Sequence, residues 1–220
     1  MKEFSRSQCP HLSCEGVVGN ACGLGLLNPD NERRGKQKRE IMSSWKVHSG
    51  VHCHFVTATI TEWRFVFTEI PYFEIITSAL RLCMAEKNLR LHAYVIMPNH
   101  VHYITSTNNR KCLSDVMRDL NRFTSVEISK MLGIEQRREL LNTFKHAAKL
   151  ENRGNTHKVW QDGFHPIAIE TEDFFLEKLN YIHDNPVRKG FVEKPEHWLY
   201  SSARNYILED PSILPVECLL

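Results

Sequence analysis

The stretch Leu91-His-Ala-Tyr-Val-Ile-Met-Pro-Asn-His-Val-His-Tyr103 decides how the chain is read. Leu89 to Met97 predicts a strand, Pro98-Asn99 a turn, and His100 to Thr107 a returning strand, so the segment reads as a hairpin. Successive side chains of a strand point to opposite faces. Val101 can therefore enter a core while His100 and His102 point together out of the other face. Two imidazoles so placed make a two-nitrogen platform for a metal ion. The plainer reading is a half-exposed strand that carries two histidines.

Working outward, Val51 to Thr61 is rich in β-branched and aromatic residues and predicts another strand. His52 and His54 share one face of it, as a rival metal pair, as half-buried polar residues, or as lining of the same pocket. Ile70 to Asn88 predicts a helix with Pro71 in its first turn and Phe73, Ile76, Leu80 and Cys83 or Met84 as its buried stripe. Leu113 to Leu132 predicts a second, stopped by Gly133, with Leu113, Val116, Leu120 and Phe123 on one face. Its other face carries Arg118 and Arg122, and just beyond them Ser125, either a phosphate-binding surface or an ordinary solvated one. Glu135 to Leu150 predicts a third helix. Val159 to Ile169 predicts two short strands around the Asp162-Gly163 turn, with Pro166 at an edge. Thr171 is a good N-cap for a last helix, expected to end near Asp184 because Pro186 disfavours helical geometry at Asn185.

That last helix carries two stripes. Phe175, Leu179 and Ile182 form an apolar seam, and Phe174, Lys178, Tyr181 and Asn185 form a second line rotated by roughly 100°. A phenol, an amide and an ammonium on one face suit phosphoryl transfer. The phenol attacks a phosphodiester, a metal draws charge from its oxygens, the amide oxygen completes the metal shell, and the ammonium holds the phosphate. The alternative is Tyr181 as a rim residue of the seam.

The chain has 220 residues, 42% of them hydrophobic, which suits one domain with an adequate core or one domain plus an appendage. A net charge of +2 neither requires nor opposes a nucleic-acid partner. Seven scattered cysteines form no C-x-x-C pair and read as free thiols of a reducing compartment. No stretch reads as a signal peptide or membrane span, so a soluble cytoplasmic protein is expected. Residues 1–41 combine five glycines with the basic run Arg33-Arg-Gly-Lys-Gln-Lys-Arg39 and show no helical or strand period. They are expected to be a disordered extension, and residues 42–220 a single domain. Met42 is a candidate native start. Cys9, His11, Cys14 and Cys22 match no common zinc spacing.

Met97-Pro-Asn-His-Val-His102, followed by Tyr181-Ile-His-Asp-Asn-Pro-Val187 and Trp198-Leu-Tyr-Ser-Ser-Ala-Arg-Asn-Tyr206, resembles the HUH single-tyrosine transposases, in the branch of REP-associated tyrosine transposases. Trp160-Gln161 and Phe164-His165 also fall where that branch has similar residues, and the likeness covers roughly residues 45–206. It implies an α+β domain with a ferredoxin-like antiparallel sheet, helices packed on one face, and a C-terminal helix bearing the tyrosine. It implies cleavage and rejoining of single-stranded DNA near hairpins, dependent on Mg2+ or Mn2+. His100 and His102 match the metal pair. Tyr181 matches the nucleophile that forms a 5′-phosphotyrosine. Asn185 falls where the family places a third ligand, often Gln. Lys178, Arg118 and Arg122 are the expected DNA contacts. The partner is single-stranded or hairpin DNA, and the protein is either a monomer or a homodimer. A DNA-binding protein that has lost turnover and a metal-dependent phosphodiester hydrolase are the rival readings.

Overall fold

The computed structural model describes residues 53–107, 113–151, 154, 156–211 and 213–219. Its elements are β1 (Cys53–Thr59), α1 (Ile70–Lys87), β2 (Leu89–Met97), β3 (His100–Thr107), α2 (Leu113–Ile134), α3 (Arg138–Glu151), β4 (Ile167–Ile169), α4 (Glu172–Arg188) and α5 (Ala203–Leu208). One sheet has the order β2-β3-β1-β4 with every neighbouring pair antiparallel. Thus α1 carries the chain from β1 across β3 to β2, and α2 with α3 carries it from β3 past β1 to β4. This is the ferredoxin-like α+β arrangement, with two helices in its second crossover.

Alternation along the strands divides the interior in two. Val56, Ala58, Tyr94, Ile96, Val101 and Tyr103 face the stripes of α1, α2 and α3. Phe55, Ala93, Val95 and Ile104 face Phe175, Leu179 and Ile182 of α4 on the other side. The expected N-cap of α4 forms, Thr171 Oγ1 accepting from the Phe174 amide at 3.3 Å. Residues 200–202 line the free edge of β2, with Ile96 N donating to Tyr200 O and Ser202 N to Tyr94 O, both at 2.9 Å. The Trp198–Tyr206 signature thus closes an edge that would otherwise be open to pairing with another chain. Among the described residues no helix is long and apolar enough to cross a membrane, and Cys53, Cys83 and Cys218 are free thiols.

Four local expectations need correction. First, α2 runs through Gly133 to Ile134 and stops at Gln136, which takes the left-handed conformation (φ 55°). Arg137 N there returns to Leu132 O at 2.9 Å, the bonding of a Schellman stop. Second, Phe123 is 44% exposed. Three residues beyond Leu120 it swings to the rim of the stripe, and Thr124, four beyond, is buried instead, its hydroxyl accepting from Trp160 Nε1 at 2.9 Å. Third, the 159–169 segment is not a hairpin. Trp160 bridges Ile60, and Ile167–Ile169 pair with Cys53–Phe55, so both halves follow the same edge of β1. The Asp162-Gly163 pair lies in the bulge between them. Fourth, α4 passes through Pro186 to Arg188. Burial of Asn185 and Pro186 offsets the steric preference against a helical residue before proline. Lys189 N still reaches Asn185 O at 3.1 Å. Residues 1–41, with the Cys9, His11, Cys14 and Cys22 set, lie outside the described residues, as does His52.

Candidate active site

β3 presents His100 and His102 to the α4 face, as the alternation requires. Met97 of β2 and Thr59 of β1 flank His100; Val95 and Thr57 flank His102. The two rings lie 4.7 Å apart between centroids, and both are buried. Phe55 stacks on His102 at 5.3 Å. The seam of α4 packs on Ala93, Val95 and Ile104, and this turns its second stripe toward the histidines. Tyr181 meets the His102 ring edge-on at 5.2 Å while remaining 38% exposed. Asn185, one helical turn on, is buried. The phenol and the two imidazoles therefore come together within one chain, and the buried amide lies one helical turn from the phenol.

Hydrogen bonds fix which atoms of this group face inward. His100 Nδ1 lies 2.7 Å from Asn99 Oδ1, an oxygen that can only accept. Nδ1 therefore carries the proton and Nε2 the lone pair. The Asn99 amide is itself oriented by Nδ2 donating to the Trp63 carbonyl at 3.3 Å. His102 Nδ1 lies 2.8 Å from Thr57 Oγ1. His102 Nε2 and Asn185 Oδ1 are both buried with no hydrogen-bond partner; with His102 Nδ1 donating to Thr57 Oγ1, Nε2 presents a lone pair, as the amide oxygen does. Burial, and then the nearby Lys189 charge, pull His100 down to about 4. Burial, and then His100, pull His102 down to about 3. Both are neutral at pH 7, the form that ligates metal.

Cations ring the site. Lys178 Nζ lies 4.7 Å from the Phe174 ring centre and 5.7 Å from that of Phe55, and pairs with Glu177 at 2.8 Å. Arg188 Cζ lies 5.3 Å from the Tyr181 ring centre. Arg118 and Arg122 are elsewhere. They line an α2 groove of about 1030 Å³ with the 154–164 segment, on the opposite side of the sheet. Arg118 pairs there with Asp115 at 2.7 Å and Asp119 at 3.3 Å. The seven expected site residues thus divide between two surfaces: His100, His102, Lys178, Tyr181 and Asn185 on one, and the two arginines on the other. His54 falls on the Val56 face by alternation, so it joins neither His100 nor His102. Among the described residues no three His, Cys, Asp or Glu side chains cluster as a metal site; the candidate donors are two imidazoles and one amide.

Sequence reasoning missed Phe55, Thr57, Asn99, Trp63, Arg188 and Lys189. Arg188 was recoverable, because it continues the Phe174-Lys178-Tyr181-Asn185 stripe once the helix extends past Pro186. Phe55 and Thr57 depend on the β1–β3 register, which no local pattern announces. A further polar strut holds α4 in place: His183 Nε2 lies 2.9 Å from Ser202 Oγ, which also accepts from Tyr94 N at 2.9 Å.

A family model described as "Transposase IS200 like" matches residues 47–185, from before β1 to Asn185 itself. The chain belongs to this family. Among relatives of this IS200-like transposase, the REP-associated tyrosine transposase of Escherichia coli (strain K12) is 23% identical over 130 residues, or 59% of this chain and 64% of that protein. The match therefore spans less than two thirds of the relative. The solved structure of a REP-associated tyrosine transposase bound to a REP hairpin superposes with a TM-score of 0.52 at 18% identity, covering 76% of this chain and 83% of the other. That likeness is one of fold.

Proposed function

We propose that this IS200-like transposase cuts and rejoins single-stranded DNA at hairpin-associated sites through a covalent 5′-phosphotyrosine at Tyr181. The observation that carries the reading is the Tyr181 ring 5.2 Å from His102, beside two buried, unpartnered ligand atoms, His102 Nε2 and Asn185 Oδ1. A buried acceptor without a partner is costly, and an ion satisfies it. Residues 42–220 carry the activity. His100, His102 and Asn185 would hold Mg2+ or Mn2+; two imidazoles favour Mn2+ in affinity and availability favours Mg2+. Bound there, the ion would draw charge from the non-bridging phosphate oxygens.

The chain's own groups do the rest. Tyr181 Oη forms a bond to phosphorus as the bond from phosphorus to the 3′ oxygen breaks. The phenolic proton leaves to water, which the partly exposed ring can reach. The departing 3′ oxygen takes up a proton and becomes a hydroxyl. Lys178, Arg188 and Lys189 set positive charge around the phosphate. Rejoining reverses the exchange: a 3′-hydroxyl attacks the phosphotyrosine and the phenol is released. One ester is exchanged for another, so no ATP is needed. The REP hairpin in the solved relative supports hairpin DNA as partner. Arg118 and Arg122 would contact its phosphates away from the cut.

The test is incubation of the protein with 3′-labelled single-stranded hairpin DNA and Mn2+. The expected result is an adduct that survives SDS and is absent in Tyr181→Phe. An adduct that persists in Tyr181→Phe rejects Tyr181 as nucleophile. Cleavage with no adduct at any time supports the hydrolase reading, and hairpin binding with no cleavage supports a DNA-binding protein without turnover.

A further inference from the structure

We propose that Trp63 is a stacking platform for one unpaired nucleobase of the DNA strand, held against the metal-ligand side of the site by Asn99. The proposal rests on the single-stranded DNA reading above and adds to it a base-binding subsite. Three features of the 60–67 segment carry it.

The first is exposure where burial would be expected. Trp63 is 58% exposed and Phe65 55% exposed, in a segment whose other large apolar residues, Ile60, Val66 and Phe67, are buried. A large indole left in water beside a reactive site has a face to offer. The second is backbone conformation. Glu62 (φ 55°) and Trp63 (φ 54°) both take the left-handed region in succession, which disfavours residues with a Cβ. Such geometry persists only where its surroundings impose it, and it concentrates at functional sites. Here the surroundings are visible: Trp63 N donates to Ile60 O at 2.9 Å, and Thr61 N to Val159 O at 2.8 Å. The third is linkage to the site. The indole meets the His100 ring edge-on at 6.0 Å. Asn99 spans the two, its Nδ2 donating to Trp63 O and its Oδ1 accepting from His100 Nδ1. One amide thus sets both the indole backbone and the imidazole tautomer.

The surface that continues from Trp63 is suited to a nucleic-acid strand. Trp63, Arg64 and Phe65 line a cleft of about 680 Å³ together with Arg137 and Arg138 of the α2–α3 junction. Arg64 pairs with Glu139, and Arg137 lies 3.6 Å from Glu69, so three guanidinium groups against two carboxylates leave an excess of one positive charge beside two aromatic faces. Aromatic faces interleaved with cations form the surface that tracks single strands, with bases stacked and phosphates neutralised. Stacking needs only a π-face, so the subsite accepts any base and reads the unpaired state rather than the sequence.

The experiment measures fluorescence anisotropy in EDTA, which keeps cutting out of the readout. The probes are a REP-type DNA hairpin with a short single-stranded flank and the same hairpin without it. Trp63→Ala is expected to bind the flanked hairpin about tenfold to a hundredfold more weakly and the bare hairpin unchanged, while Trp63→Phe keeps most of the flank affinity. In the wild-type protein, 5-iodouracil placed along the flank is expected to photo-crosslink to Trp63 from one position, an outcome that does not depend on any variant folding. Equal flank affinity in wild type and Trp63→Ala overturns the platform, as does a crosslink confined to other residues. Altered self-association in Trp63→Ala with unaltered DNA binding overturns it in favour of a protein contact. A wild-type protein that binds the flanked hairpin no better than the bare one also overturns the platform; the phosphotyrosine reading is judged separately by the Tyr181 adduct formed with Mn2+, which a failed platform leaves intact.

Discussion

On one face of the sheet Val56, Ala58, Ile96, Val101 and Tyr103 pack against α1 and α2 in an apolar core. The other face, which carries Phe55, Thr57, Val95, His100 and His102, is turned toward α4, and the apolar cluster there is smaller and edged by polar groups. One strand supplies both, since Val101 and Tyr103 enter the core and alternate with His100 and His102, which leave it. The core face fixes the backbone of β3, and the site face inherits that rigidity without having to fill its own space. Orphaned polar atoms do not by themselves separate the two, because Tyr103 Oη on the core face also lacks a partner. What separates them is company. Tyr103 lies among apolar side chains, whereas the His102 ring touches a half-exposed phenol and Asn185 lies one helical turn from it.

The sharpest way to break this comparison is to damage each face in turn. His102→Ala is expected to reduce cleavage below detection while leaving thermal stability and hairpin binding in EDTA close to wild type. Ile96→Ala, a fully buried position on the core face, should do the opposite. It removes a packed side chain and should cost about 2–5 kcal/mol of unfolding free energy, read from urea melts, with adduct formation per folded molecule unchanged. If Ile96→Ala abolishes the adduct at temperatures where the protein is folded, the two faces are not separable.

The hairpin, the helix stripes and the pairing of His100 with His102 were legible because each depends on period alone. Those periods also placed Tyr181 one turn from Asn185. Where the chain had to choose between a local rule and tertiary packing, the local rule misled: Gly133 did not end α2 and Pro186 did not end α4. Phe123 and Thr124 show the limit most plainly, since apolar character favours Phe123 for the core while helix phase and the Trp160 hydrogen bond select Thr124. The site's supporting residues were illegible for another reason. Thr57 is positioned by the β1–β3 register, and Trp63 by a strained turn whose carbonyl is held by Asn99. Both are long-range facts about which strand lies beside which.

A finer cut stays within the site face. Thr57 Oγ1 is the polar partner of His102 Nδ1 at 2.8 Å. Thr57→Val keeps the shape and removes the hydroxyl. Groups that orient a metal-binding imidazole typically matter by 10- to 100-fold in affinity, so Mn2+ binding followed by electron paramagnetic resonance should weaken by about that much, and Thr57→Ser should restore it. Hairpin binding in EDTA should not move. Unchanged Mn2+ affinity in Thr57→Val would mean that the Phe55 stack alone orients His102.

The smallest expected effect is acid sensitivity, and it too should belong to one face. Burial pulls His183 down to about 4, and it sits on α4 against Ser202. The folded protein keeps this imidazole neutral, while the unfolded chain protonates it near the usual 6.5. Between those values the unfolded state binds more protons, so stability is complete above about pH 6.5 and is lost as the pH falls toward 4. Each such histidine steepens the decline by up to roughly 1.4 kcal/mol per pH unit. Urea midpoints measured from pH 7.5 to 5 in the wild type should therefore fall, in a slope to which His100 and His102 also contribute. His183→Gln should make that slope shallower, whatever it does to stability at pH 7.5. Ile96→Ala should lower the whole curve and leave the slope alone, because no histidine lies between it and α1. A slope that His183→Gln leaves unchanged would show that the buried strut does not titrate across unfolding, and the acid response would then have to come from the other histidines that burial holds low, His92, His100, His102 and His157.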